Sequence, residues 1–271
     1  MKHEVMRISG PDRRRAWDAL AVEEPLEVQL GGQPYQVTMR TPGHDAELVA
    51  GLLLSEGIVT ALADIVAMRA GRAPAVAPGT DGFNVTDVSL SPAAAARAAA
   101  RGTRRVATTS ACGLCGTTSL AELLGGHPNL DGDGLHVAPE VLATLPGSLR
   151  AAQAGFERTG GSHAAGLFDA GGRLVCARED VGRHNAFDKV LGWALLDGRL
   201  PLRGHVLLAS GRASLELVHK AVTAGVPVLA AVSAPSSAAV ELAAATGLTL
   251  VGFLRGDTMN VYAGADRLTP G

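Results

Sequence analysis

The chain has 271 residues, of which 47% are hydrophobic, 18% charged and only 3% aromatic, and its net charge is −2. That much apolar material excludes a disordered chain and points to a core of Ala, Val and Leu, while the near-neutral balance excludes bulk attraction to nucleic acid or an anionic membrane. No apolar run of about 18 residues marks a membrane span, Met1-Lys2-His3-Glu4 lacks the basic-then-apolar pattern of a signal peptide, and three cysteines are too few for a disulfide framework, so the cytoplasm is the expected compartment.

In chain order, residues 5–8 read as a short strand and 11–15, with Arg13, Arg14 and Arg15 in a row, as a charged surface loop. Residues 26–30 alternate apolar and polar, Gly31-Gly32 makes a tight turn, and 35–39 returns as the partner strand of a hairpin. Pro42-Gly43-His44-Asp45 breaks that strand, and a helix follows over 46–55 with Leu48, Val49, Leu52 and Leu53 on one face. Glu56-Gly57 ends it, the glycine suiting a left-handed C-cap. Residues 69–82, rich in Ala, Pro and Gly, read as a loop, 83–90 as a strand, and Ser91-Pro92 opens an alanine-rich helix through 100. A domain boundary is expected where that helix closes, giving a smaller β-rich α+β unit over 1–105 and a second unit over 106–271.

The second unit alternates. A loop over 127–135 precedes a helix over 139–152. Strands 166–168 and 174–177 form a hairpin, and a helix covers 185–196. Then come strand 205–209, helix 214–224, strand 226–232, helix 236–246, strand 248–253 and an edge strand at 261–262. This predicts an α/β fold with a largely parallel sheet, whose ligands sit beyond the carboxyl ends of the strands.

Two features carry chemistry. Cys112-Gly113-Leu114-Cys115-Gly116 places two thiols in a glycine-flanked turn just ahead of Thr117, Thr118 and Ser119, residues suited to start a helix. Free N–H groups and the positive end of a helix dipole favour the thiolate there. Such a pair can hold a metal, cycle as a disulfide or carry sulfur as a persulfide. The second feature is a set of strand ends. Glu179, Asp180, Arg183, His184, Asn185 and Lys189 crowd the segment after the second hairpin strand, Arg212 lies in Ser210-Gly211-Arg212-Ala213-Ser214, and Arg255 lies in Phe253-Leu254-Arg255-Gly256-Asp257-Thr258. The plain alternative for the first is a capped, salt-bridged helix start. Three strand ends with an arginine each suggest a large anionic ligand with more than one phosphate. Cys176, in an apolar strand, reads as core.

These segments carry a resemblance. From residue 27 to 268 the chain resembles the formate dehydrogenase accessory sulfurtransferase family (FdhD), most specifically in Glu179-Asp180-Val181-Gly182-Arg183-His184-Asn185-Ala186-Phe187-Asp188-Lys189, and also in Leu54-Ser55-Glu56-Gly57-Ile58, the two-cysteine turn and Ser210-Gly211-Arg212-Ala213-Ser214. Gly211 departs mildly, since members often carry Ser there. The resemblance implies a cytidine-deaminase-like α/β domain behind a smaller β-rich one, often assembled as a homodimer. It implies a sulfurtransferase acting as a sulfur carrier, which takes sulfane sulfur from a cysteine desulfurase and passes it to the molybdenum bis(molybdopterin guanine dinucleotide) cofactor destined for formate dehydrogenase. By the same match Cys112 is the persulfide carrier, Cys115 its partner, and Phe253, Leu254, Arg255, Gly256, Asp257 and Thr258 form the cofactor-contacting segment. Arg183, Arg212 and Arg255 are then expected to meet phosphates or guanine, with His184 and Asn185 beside them and His184 or Asp180 moving protons.

Two rival classes stand beside this. A zinc-dependent deaminase would take ligands from Cys112, Cys115 and His163, but the deaminase signature needs His-x-Glu ahead of Pro-Cys-x-x-Cys. Here His163 follows the cysteines and Ala111 precedes Cys112, so no metal is assigned. A non-catalytic cofactor-binding chaperone is the other.

Overall fold

The computed structural model describes residues 1–72, 84–101 and 129–269. Its first strands, β1 (Lys2–Ser9) and β2 (Asp12–Ala19), pair antiparallel as a ribbon that joins no other sheet among the described residues. The segment 11–15, expected as a loop, thus lies largely in a strand. Arg13, Arg14 and Arg15 face Ile8, Arg7 and Met6 across the ladder; strand pairing satisfies their backbone while their side chains stay exposed. Strands β3 (Glu24–Leu30), β4 (Gln33–Arg40), β5 (Ile65–Arg72) and β6 (Asn84–Leu90) form a second sheet in the order β4-β3-β6-β5. The hairpin across Gly31-Gly32 is as expected, with Leu30 opposite Gln33. Strand β5 takes in residues 69–72, which the sequence suggested were loop. As an edge strand with Arg69, Ala70, Gly71 and Arg72 exposed, it carries no apolar alternation there.

The third sheet has six strands in the order β12-β11-β10-β9-β7-β8: β7 (His163–Asp169), β8 (Leu174–Asp180), β9 (His205–Ala209), β10 (Val228–Ala231), β11 (Thr249–Arg255) and β12 (Thr258–Ala263). Strands β9, β10 and β11 are parallel. β8 points the same way as β9, because both run antiparallel to the intervening β7. The carboxyl ends of β8, β9, β10 and β11 therefore share one edge.

Seven helices are described: α1 (Asp45–Ser55), α2 (Pro92–Arg101), α3 (Pro139–Ala151), α4 (Ala154–Thr159), α5 (Arg183–Leu196), α6 (Leu215–Thr223) and α7 (Ser237–Thr246). The short α4 has a single large apolar residue, Phe156, and no period to read. Apolar side chains cover both faces of the sheet, as a mainly parallel sheet requires. Leu142, Leu145 and Leu149 of α3 share one cluster with Phe168, Val206, Leu208 and Val251. On the other face, Leu48, Val49 and Leu53 of α1 join Phe187, Val190 and Leu191 of α5, together with Leu207 and Leu229. Helix α5 buries 11 of its 14 residues, so its periodicity is that of a helix wrapped on all sides. Its contact with α1 is backbone-close. A Cβ on Gly51 would lie 1.9 Å from the Asp188 carbonyl oxygen, and one on Gly192 would lie 1.8 Å from that of Glu47. Only glycine permits this approach.

Candidate functional site

The carboxyl edge of the six-stranded sheet gathers the segments that sequence singled out. Residues 181–183 lead from β8 into α5, 210–214 lead from β9 into α6, and 256–257 turn β11 into β12. Between β11 and β8 lie four strand-to-strand steps, roughly 19 Å at about 4.8 Å each. Arg255 and Arg183 therefore mark the two ends of a long rim, with Arg212 between them.

Much of the Glu179–Lys189 segment is committed to holding the fold. Asp180 is fully buried, and its carboxylate accepts from the Thr41 and Gly182 N–H groups at 3.0 and 2.8 Å and from Asn185 Nδ2 at 3.0 Å. Lys189, 1% exposed, places Nζ 2.8 Å from the same carboxylate and donates to the Thr41 carbonyl at 2.8 Å. Asn185 also donates to the Met39 carbonyl at 2.8 Å. Glu179 accepts from the N–H groups of Gly155 and Phe156, both at 2.7 Å, at the start of α4. These bonds pin residues 39–41, at the end of β4, to the end of β8.

A second layer runs between α5 and α6. His184 Nε2 is 2.5 Å from Glu216, and one turn further Asp188 is 2.6 Å from Lys220 Nζ, with Ser55 of α1 donating to Asp188 at 2.8 Å. The i, i+4 spacing on both helices stacks these pairs. Glu216 and Lys220 carry no motif signal of their own; their spacing four residues apart within Leu215–Thr223 is the trace of them in the sequence.

What remains uncommitted is the rim. Arg183, half-buried, has a buried Nε with no hydrogen-bond partner among the described residues, and so does the Ser214 hydroxyl at the N-cap of α6. Arg212 is exposed. Arg255 uses Nε to reach the Val232 carbonyl at 3.0 Å and lies 5.7 Å from the Phe253 ring centroid. His163 enters at the same edge, its ring close against Gly211. Burial first, and the charges of Arg183 and His184 next, hold the imidazole below its ordinary pKa against the opposing pull of Asp180. It is thus a neutral imidazole at pH 7, able to accept or donate one hydrogen bond at each nitrogen.

The Phe253–Thr258 segment divides. Leu254 is fully buried in the α3-side core. Phe253 is 37% exposed at φ 51°, and Arg255, Gly256, Asp257 and Thr258 are exposed around the turn. A bulky side chain in left-handed backbone is strained. Of the residues expected at the site, Arg183, His184, Arg212, Phe253, Arg255, Gly256, Asp257 and Thr258 thus reach or border the edge, while Asn185 and Leu254 face inward. Cys112 and Cys115 lie outside the described residues. Cys176 is buried, and burial pushes its thiol up to about 11. Among the described residues no group of three His, Cys, Asp or Glu side chains is placed to hold a metal ion, and no helix is long and apolar enough to cross a membrane. A cavity of about 950 Å³ lies at the β7–β8 side, walled by the base of the ribbon, residues 20–22, Glu24, Thr41, Ser162 and Glu179.

Residues 21–269 match the model of the FdhD/NarQ family. The protein named sulfur carrier protein FdhD in Nocardia farcinica is 54% identical, over 98% of this chain and 94% of its own length. Its namesake in Streptomyces coelicolor is 53% identical, over 98% and 95%. A solved structure from Desulfotalea psychrophila, of a proposed formate dehydrogenase accessory protein, shares the fold at a TM-score of 0.76 with 23% identity, covering 99% of both chains. The chain belongs to the FdhD/NarQ family.

Proposed function

We propose that this chain is a sulfur carrier that accepts sulfane sulfur from a cysteine desulfurase as a persulfide on Cys112 and delivers it to molybdenum bis(molybdopterin guanine dinucleotide) bound as substrate, for use by formate dehydrogenase. The observation that carries the reading is full-length identity above 50% to proteins named sulfur carrier protein FdhD. The edge geometry supports the choice of acceptor. Three arginines strung along roughly 19 Å suit a ligand with several separated phosphates, and a compact anion would reach only one of them.

The chemistry follows from thiol exchange. The Cys112 thiolate attacks the outer sulfur of the donor's persulfide. The new S–S bond forms on Cys112 and the donor leaves as a thiolate, with no net redox change. Attack by Cys115 on the Cys112 sulfur then closes a disulfide and expels the carried atom as hydrosulfide, the two thiols supplying the two electrons. At the rim, Arg183, Arg212 and Arg255 hold phosphate oxygens by charge-assisted hydrogen bonds, and His184, braced by Glu216, is the proton-handling group. Asp180 is not, because its carboxylate is already filled by four donors.

Intact mass spectrometry after incubation with a cysteine desulfurase and cysteine tests this. The chain gains the mass of about one sulfur atom, lost in Cys112→Ser and kept in Cys176→Ser. A gain that survives Cys112→Ser refutes the assignment. Unchanged cofactor affinity in Arg212→Ala removes that residue from the rim.

A further inference from the structure

The β1–β2 ribbon has no part in that chemistry, and the family match begins after it, at residue 21. A lone two-stranded ribbon is marginal in water, yet this one displays apolar side chains. Its register sets Trp17 opposite Glu4, Met6 opposite Arg15 and Ile8 opposite Arg13. Pairs two residues apart share a face, so all three apolar side chains stand together. Trp17 is 68% exposed, Ile8 59% and Met6 56%, whereas Val5 and Ala16 on the other face are half-buried. Tryptophan, methionine and arginine are the residues enriched at the centres of protein interfaces.

The ribbon is also cationic. Residues 2–19 carry five Lys or Arg against three Asp or Glu, in a chain whose net charge is −2. Arg15 pairs with Glu4 at 3.1 Å, but Arg7, Arg13 and Arg14 have no ion-pair partner among the described residues. Arg7 and Arg14 stand directly opposite each other, a like-charge pair that destabilises the ladder until an anion comes between.

We infer that the ribbon is a docking arm for the protein that donates sulfur, a partner presenting an apolar groove rimmed by carboxylates. The inference rests on the persulfide reading above. Position favours the donor over the acceptor. The ribbon's base, Met1, Lys2, Ala19 and Leu20, borders the cavity on the β7–β8 side, at the opposite end of the sheet from the β11–β12 turn. A protein seated there leaves the Arg212 and Arg255 end of the rim open.

The test compares loading of the full chain by a purified cysteine desulfurase plus cysteine with loading by glutathione persulfide. The variants are Met6→Ser/Trp17→Ser and Arg13→Glu/Arg14→Glu, all at exposed positions. The half-saturating concentration with the desulfurase should rise at least tenfold in each, while loading from glutathione persulfide stays at the wild-type rate. Equal half-saturation in variants and wild type overturns the docking arm alone. Variants that load normally from the desulfurase but lose binding to phosphatidylglycerol vesicles overturn it in favour of a membrane contact. A wild-type chain loaded by neither donor overturns the persulfide reading, and the docking inference with it.

Discussion

Lys189→Met asks whether the most distinctive segment of this chain holds a ligand or holds the fold. Lys189 is 1% exposed and its only described partners are internal: the Asp180 carboxylate at 2.8 Å, the Thr41 carbonyl at 2.8 Å and the Glu179 carbonyl at 3.4 Å. Methionine keeps most of the stem and removes the charge. Asp180, fully buried, is then left as an uncompensated anion, a loss worth about 3–5 kcal/mol. Met recovers little of it, since the ammonium's place is lined by oxygens. The expected destabilisation of about 4 kcal/mol is a large share of the usual 5–15 kcal/mol. At a slope of about 2 kcal/mol per molar urea, the midpoint falls by about 2 M, read from the fluorescence of Trp193 on the same helix. The double variant Asp180→Asn/Lys189→Met removes the stranded charge and should regain about 1–3 kcal/mol. A midpoint shift below about 0.5 M for the single variant, with sulfur delivery lost, would refute the structural account and return Lys189 to the ligand.

Three other outcomes are expected. Gly→Ala inside a helix normally gains about 1 kcal/mol, but Gly192→Ala sets a Cβ 1.8 Å from the Glu47 carbonyl oxygen and should cost about 3 kcal/mol by forcing α1 and α5 apart; calorimetry that shows a raised Tm sinks this packing. For Cys176, burial lifts the thiol from 9.0 to about 11, so above pH 9 the unfolded chain loses a proton that the native chain keeps. Stability therefore falls as pH rises from 9 to 11, by up to roughly 2–3 kcal/mol, and Cys176→Ala should flatten that part of a pH series of urea midpoints; an unchanged slope contradicts the burial. Phe253→Gly relieves left-handed backbone worth about 1–2 kcal/mol, so stability should hold or rise while guanine-nucleotide binding by calorimetric titration weakens; a large loss of stability with intact binding would make the ring a packing residue.

The alternation of strand and helix after residue 163 was legible because the buried strands are short apolar runs and the helices between them open after Gly182, Ser214 and Ser236, residues that break a strand. The same logic placed the three arginines on one edge, since parallel strands must end together. Two strands at the periphery were not legible. The second strand of the ribbon is read as a loop from Arg13-Arg14-Arg15, because a strand with only Ala16 and Ala19 half-buried has little burial to pattern it. Residues 65–72 fail similarly at a sheet edge. The polar segment after β8 was visible as a cluster, but sequence cannot tell a satisfied carboxylate from an available one. That distinction depends on Thr41, 139 residues away from Asp180. Glu216 was missed for the same reason, since its meaning comes from His184 on another helix.

A ligand can use only what the fold has left over, and the remainder at this edge is mostly donors. Asp180, Glu179, Asn185 and Lys189 are filled by internal partners. Left on the rim are the Arg183 guanidinium, Arg212, the outer nitrogens of Arg255 and the hydroxyl of Ser214, all able to donate, with the exposed Asp257 carboxylate as an acceptor at the β11–β12 turn. The first turns of α5 and α6 begin beside them and add the positive ends of two helix dipoles. An edge on which donors predominate selects an acceptor-rich anion. Its length demands that the acceptors be spread out. The buried ion pairs behind the rim serve the same end. By tying the end of β4 and helix α1 to the end of β8 and helix α5, they hold the first arginine in place without spending it, which is the preorganisation that binding a flexible multi-phosphate ligand requires.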